Sequence, residues 1–132
     1  MKAVKYFQTV DRSIRYENNI KKSLFIALIQ EIESDLEAKS FIKSAQQQFP
    51  DATHHCWAYR LGSGKIEIAQ YSDGGEPPNS AGPSILQAIK QEQVSNVIAL
   101  VVRYFGGIKL GKSGLIKAYR ETARMGLQLA GK

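Results

Sequence analysis

RYFGGIKLGKSG, residues 103–114, is the stretch that decides the fold of this chain. An apolar run, Val97–Val102, precedes it and predicts a buried strand. An amphipathic segment beginning at Leu115 follows it and predicts a helix, with apolar residues at Ile116, Tyr119, Ala123 and Leu127. The stretch is therefore predicted to connect a strand to a helix.

This connection combines four glycines with three cations, and Lys117 adds another cation just beyond it. Glycine lets a backbone approach a ligand closely, and a helix start offers unpaired N–H groups and a positive dipole end. Together these features predict an anion-binding site. The alternative is a tight turn whose glycines serve only packing and positive φ. The predicted binding residues are Arg103, Tyr104, Gly106, Gly107, Lys109, Gly111, Lys112, Ser113, Gly114, Lys117 and Arg120.

The predicted last helix extends the cationic character of the stretch. Lys117, Arg120 and Arg124 share one helical face, which is typical of a phosphate-binding stripe or of an ordinary solvated face. Tyr104 and Phe105 are candidates for stacking on bases, although aromatic residues at a strand end are more often core.

Residues 106–113 also fit the phosphate-binding pattern GxxxxGK[ST]. Only 18 residues follow Gly114, so no later strand is available for the acidic magnesium ligand of a nucleotide triphosphatase. The upstream segment 66–73 alternates in polarity, unlike a parallel strand that is buried on both faces. A nucleotide triphosphatase is therefore the less favoured interpretation, and Lys112 is not expected to act as a P-loop lysine.

Length and composition indicate one globular domain over residues 1–132, with 43% hydrophobic residues. No apolar run exceeds six residues, which argues against a transmembrane helix and a membrane partner. A lone Cys56 and the absence of a signal-peptide pattern predict a cytoplasmic location. Residues 103–131 carry six cations and one acid, a net +5, which suggests a polyanion-facing side.

The order of predicted elements indicates an α+β domain, with helices packed on one sheet. Strands are predicted at 3–10 and 13–17, with a turn at Asn18-Asn19, and a central strand over 24–29. A helix with a Ser34–Glu37 capping box ends at Pro50, and a hairpin turns at 62–64. A second helix follows, with Asn79 or Ser80 as its predicted cap, before the buried strand and the last helix.

The loop over residues 72–79 carries a second set of candidates, namely Asp73, Gly74 and Glu76. Paired carboxylates hold Mg²⁺ or perform acid–base chemistry, whereas the alternative is a turn in which Asp73 bonds its own backbone. We expect this loop to lie beside the glycine stretch, either through a bridging ion or through an ion pair between Glu76 and Arg103. No metal site is predicted at His54 and Cys56, since the cysteine-rich clusters of structural zinc sites are absent from the sequence.

Four motifs resemble those of the IMPACT/YigZ family. The glycine stretch, continued by Gly114-Leu115 and Ala118-Tyr119, resembles the family signature, and the 73–77 loop with Ala81-Gly82 resembles its second motif. The remaining matches are the segments 54–60 and 22–25. The resemblance thus covers residues 22–119, although Lys112-Ser113-Gly114 and Pro78-Asn79-Ser80 depart from the usual residues.

The resemblance implies an α/β two-layer sandwich, similar to domain two of ribosomal protein S-five and domain IV of the translocating elongation factor. It also implies a link to translation, because eukaryotic members regulate the kinase that senses uncharged transfer RNA and bacterial members are suspected nucleic-acid binders. No established catalytic activity comes with the family. Partners reached through the other domains of family members are not carried over.

Three functions follow from these observations. The first is a non-enzymatic RNA-binding or translation-linked domain, whose partner is RNA or ribosome-associated nucleic acid. The second is a protein-interaction module of translational stress signalling that binds an acidic protein. The third is a hydrolase that uses Asp73, Glu76 and His54. No cofactor and no catalytic residue are assigned, although Mg²⁺ near Asp73 and Glu76 is left open.

Overall fold

The computed structural model describes Val10, residues 13–63 and residues 66–131. Its elements follow the predicted order, and the strand expected over residues 3–10 lies outside the described residues except for Val10. The strands and helices are β1 Ile14–Ile20, β2 Ser23–Glu31, α1 Asp35–Gln48, β3 His54–Ser63, β4 Ile66–Ser72, α2 Gly82–Gln91, β5 Val97–Tyr104 and α3 Gly111–Ala130.

The strands form one five-stranded antiparallel sheet in the order β1-β2-β5-β3-β4. β5 lies in the centre, and its residues from Val97 to Val102 are all buried, as the unbroken apolar run predicted. Arg103 is buried as well, which the apolar run did not predict. Successive side chains on a strand point to opposite faces of the sheet, and helices cover both faces of β5. β5 therefore contributes core residues to both faces of the sheet.

The helices divide between the two faces of the sheet. α2 and α3 pack on the face that carries Phe25, Ala27 and Val101. α1 packs on the opposite face, where Ala45 and Phe49 meet the alternate β2 and β5 residues Ile26, Leu28 and Leu100. The α+β class is confirmed, and α1 adds a further layer to the sandwich made by the sheet with α2 and α3. None of the helices among the described residues is long and apolar enough to cross a bilayer.

The turn predicted at Asn18-Asn19 is wrong, because β1 continues to Ile20. Asn18 and Asn19 pair with Phe25 and Leu24, and the chain reverses at Lys21 and Lys22 instead. These two lysines have φ values of 47° and 69°. Positive φ at both central positions is characteristic of the type I′ hairpin turn, and the register of the strands imposes it here on residues that seldom adopt it.

The helix starts were predicted with mixed success. The Ser34 cap of α1 is confirmed, since the Glu37 backbone N–H donates to Ser34 Oγ at 3.1 Å. The Glu37 carboxylate accepts from the Glu33 backbone N–H at 2.9 Å and not from that of Ser34, so the box is shifted by one residue. The predicted Asn79 or Ser80 cap of α2 is wrong, because the helix follows Ala81 and has no side-chain cap from its own N-cap residue. α3 begins at Gly111 rather than Leu115. Its first turn is mostly exposed, so apolar periodicity could not mark it.

Candidate functional site

The end of β5 delivers two predicted site residues to opposite faces of the sheet. Arg103 points to the α2–α3 side and is 4% exposed. Tyr104 packs with the cluster on the α1 side, and its hydroxyl donates to Asp51 Oδ1 at 3.0 Å. The structure therefore separates Tyr104 from the other predicted site residues.

Arg103 forms a buried ion pair with Glu76, which is 7% exposed. Its Nη1 donates to Glu76 Oε2 at 2.8 Å, and the Tyr119 hydroxyl donates to the same oxygen. Its Nε and Nη2 donate to Ser23 Oγ at 3.3 and 3.2 Å. Burial raises the pKa of Tyr119, so the phenol keeps the proton that it donates. Four chain segments thus meet at one charged pair.

Two aromatic rings flank the Arg103 guanidinium. Its central carbon lies 5.5 Å from the Phe25 ring centroid and 5.3 Å from that of Phe105. Cation–π attraction at these distances holds both rings against the arginine. Phe105 is nevertheless 46% exposed, so its ring contacts Arg103 while part of it faces solvent.

The loop over residues 72–79 contacts the glycine stretch through the ion pair between Glu76 and Arg103. This is the second of the two arrangements predicted from the sequence, the other being a bridging ion. Both carboxylate oxygens of Asp73 accept backbone hydrogen bonds, Oδ2 from Asn79 N at 2.8 Å and Oδ1 from Ala81 N and Gly82 N at 3.0 and 2.8 Å. Asp73 therefore caps α2 from a distance in sequence. Burial alone would raise the pKa of Asp73, but these N–H groups together outweigh burial and lower the pKa.

His54 and Cys56 complete the underside of this loop. His54 Nδ1 lies 3.0 Å from the Gly74 carbonyl oxygen, and its Nε2 lies 3.5 Å from Glu76 Oε1. The Cys56 thiol donates to the Asp73 carbonyl oxygen at 3.2 Å. Burial raises the pKa of the Cys56 thiol to about 12, so it stays protonated at neutral pH and is unsuited to nucleophilic attack.

These contacts favour structural roles for Asp73 and Glu76 over catalysis or metal binding. A general base needs a lone pair that is free to reach substrate. The Asp73 oxygens accept from backbone N–H groups, and Glu76 Oε2 accepts from Arg103 and Tyr119. Glu76 Oε1 faces His54 in the buried interior, away from any substrate. Over Val10, 13–63 and 66–131, no group of three or more histidine, cysteine or acidic side chains is placed to hold a metal ion.

Glycine is required at these positions for two different reasons. A Cβ on Gly106 would lie 1.9 Å from the Lys22 carbonyl oxygen, and one on Gly74 would lie 2.1 Å from that of His55. Gly107 and Gly111 have φ values of 93° and 75°, and a Cβ on either would meet nothing within 4 Å. Gly106 and Gly74 thus permit close packing, whereas Gly107 and Gly111 leave open backbone at the surface.

The exposed cations gather where α3 begins. Lys109, Lys112 and Lys117 are exposed, as is Ser113, while Gly114 and Arg120 are half-buried. The N-cap residue of α3, Leu110, makes no side-chain hydrogen bond to the first turn. The helix dipole and unpaired N–H groups therefore add to the positive charge of the lysines.

Two clefts flank this helix start. One has a volume of about 330 Å³, and its lining includes Glu76, Pro77, Arg103, Phe105, Lys109 and Lys112. The other has a volume of about 460 Å³ between β1 and α3, and Lys21 and Lys117 both line it.

Lys21 and Lys22 were not predicted as site residues. Both are exposed at the β1–β2 turn, which Gly106 touches. The sequence signal was the excess of cations in residues 1–30, six against two acids. We name Lys21, Lys22, Lys109, Lys112 and Lys117 the lysine group.

The P-loop match has no structural support. β5 is antiparallel to both of its neighbours, β2 and β3, so the sheet lacks the parallel βαβ unit to which a P-loop belongs. Lys112 lies in the exposed first turn of α3.

The geometry defines a small antiparallel α+β domain with a buried arginine–glutamate pair beneath a basic, glycine-rich surface loop. The model of the Impact N-terminal domain family matches residues 21–127. The chain belongs to the IMPACT family, which confirms the resemblance drawn from its motifs.

Two bacterial relatives share much of this sequence. The chain is 40% identical over 126 residues to the IMPACT family member YvyE of Bacillus subtilis, covering 96% of this chain and 57% of the relative. It is 42% identical over 101 residues to the IMPACT family member YigZ of Escherichia coli, covering 76% of this chain and 50% of the relative. The chain spans about half the length of these curated relatives.

Two solved structures share the fold. A crystal structure of a hypothetical protein is 36% identical with a TM-score of 0.87, covering 91% of this chain and 59% of that chain. The structure of the two-domain translational regulator Yih1 is 27% identical with a TM-score of 0.56, covering 93% of this chain and 46% of that chain.

Proposed function

We propose that this protein is a translation-linked regulatory domain that binds RNA through the lysine group. The link to translation is supported by membership of the IMPACT family and by the likeness to a structure described as a translational regulator. The observation that carries RNA binding is the convergence of exposed lysines from two segments at the uncapped start of α3.

Asp73 and Glu76, the acidic residues of the 72–79 loop, do not oppose a polyanion, whereas exposed Glu121 lines the β1–α3 cleft beside Lys21 and Lys117. Glu76 is neutralised by Arg103, and Asp73 is turned towards backbone N–H groups. Phosphate groups therefore meet mainly lysines, open glycine backbone and the positive end of the helix dipole. Arg103, predicted as a binding residue, supports the floor of the site and offers little surface of its own.

Replacing Lys109, Lys112 and Lys117 together by alanine is expected to weaken RNA binding at low salt. Each lost phosphate contact should flatten the log–log dependence of affinity on salt by about 0.7–0.9 units, because fewer counterions are released. The measurement is the fluorescence anisotropy of a labelled RNA at several salt concentrations.

The matched control replaces Lys39, Lys43 and Lys90 by alanine. These lysines are also exposed, and replacing them removes the same amount of charge from other surfaces. Equal losses in the two triple variants would mean that only net charge matters and would contradict a defined site. Tight binding of an acidic protein through the same lysines, without RNA binding, would instead support the interaction module.

A further inference from the structure

We propose that the cleft beside Phe105 binds one unpaired nucleotide of a single-stranded nucleic acid, with the base on Phe105 and its phosphate near Lys109 and Lys112. The inference rests on the proposed function and specifies the form of nucleic acid that the site takes. We name this site the Phe105 cleft; its volume is about 330 Å³, within the range of small-molecule sites.

Phe105 has the properties of a fixed stacking platform. Its backbone N–H donates to Thr53 Oγ1 at 3.0 Å, and its ring lies against the Arg103 guanidinium. Arg103 is itself immobilised by Glu76 and Ser23. A ring that is already ordered loses little conformational entropy when a base stacks on it.

Phosphate-binding groups lie in the same cleft. Lys109, Gly111 and Lys112 line it together with Phe105. A Cβ added at Gly111, which lines the cleft, would meet no atom within 4 Å, so the backbone there is open to solvent. Aromatic surface next to cations and open backbone is the combination that single-stranded nucleic acids use.

Arg103 and Glu76, which form the floor of the cleft, are expected to give little preference among bases. Among the described residues every fully buried side-chain nitrogen and oxygen already has a hydrogen-bond partner. Arg103 and Glu76 are thus satisfied by each other and by their neighbours, and recognition of the base edge by them is not favoured. Stacking is sequence-tolerant, whereas a paired base inside a duplex cannot expose its face.

The test measures the affinity of the full chain for three probes with equal numbers of phosphates, namely single-stranded RNA, single-stranded DNA and an abasic strand. Phe105→Ala should weaken binding of both base-carrying strands by about tenfold and leave the abasic strand unchanged, because it removes a stacking contact and no charge. The control is Ile108→Ala, since Ile108 is 41% exposed on the same loop and does not line the cleft.

The outcomes separate this inference from the proposed function. Binding that depends on the lysine group but is equal for abasic and base-carrying strands would overturn the Phe105 cleft and keep the polyanion site. An effect of Phe105→Ala on RNA alone would restrict the ligand to RNA. Absence of lysine-dependent binding to any strand would overturn both, and equal losses from Phe105→Ala and Ile108→Ala would overturn the stacking role.

Discussion

Replacing Glu76 by glutamine is expected to lower the free energy of unfolding by about 3–5 kcal/mol, because it leaves the Arg103 charge buried without its counter-ion. The two side chains are 3% and 5% exposed, so water cannot take the place of the carboxylate. Urea denaturation followed through the fluorescence of Trp57 measures the change.

The matched control is Glu17→Gln, which breaks an ion pair of almost the same length. Arg15 Nη2 and Glu17 Oε2 are 2.9 Å apart, but both side chains are 50% exposed. Solvent screening should keep the loss of stability below about 1 kcal/mol. Similar losses from the two substitutions would show that burial of the Arg103–Glu76 pair has no special weight.

Gly106→Ala is expected to destabilise the protein by about 3 kcal/mol, at the upper end of the cost of overpacking. The added Cβ would lie 1.9 Å from the Lys22 carbonyl oxygen, and backbone atoms must move to admit it. The shift separates the β1–β2 turn from the glycine stretch, so RNA binding should fall as well. Chemical denaturation and RNA titration measure the two effects.

Gly114→Ala serves as the control from the same stretch. Its Cβ would meet only the Leu110 side chain at 3.2 Å, and alanine favours the helix that contains it. The change in stability should stay within about 1 kcal/mol. A Gly106→Ala protein as stable as Gly114→Ala would contradict the close contact with the β1–β2 turn.

Local sequence signals predicted much of the fold. The apolar run Val97–Val102 became a buried strand as predicted, because burial on both faces requires unbroken apolar residues. The run over 24–29, predicted as a central strand, became β2, and the centre of the sheet is its neighbour β5. The Ser34 cap depends only on neighbouring residues and was placed correctly. The hairpin predicted to turn at 62–64 is present, but Gly62 and Ser63 still pair with Glu67 and Ile66, so the strands extend further than predicted. The β1–β2 turn was misplaced because cross-strand register outweighed the turn preference of Asn18 and Asn19.

The site could be predicted only in part, because its contacts are distant in sequence. Alternation along β5 puts Arg103 on the same face as Val101, but its burial depends on Glu76, 27 residues away. The Asp73 cap of α2 likewise needs the loop to fold back. Lys21 and Lys22 join the glycine stretch only because β2 pairs with β5, a sheet order that no local pattern reveals.

Backbone amide chemical shifts recorded during titration with single-stranded RNA would locate the ligand on the protein. We expect the largest shifts over residues 105–117 and at Lys21 and Lys22, with little change along α1, because the exposed cations and open backbone lie on the former surface. Large shifts confined to α1 or to the exposed strand β4, with residues 105–117 unchanged, would contradict RNA binding at the start of α3.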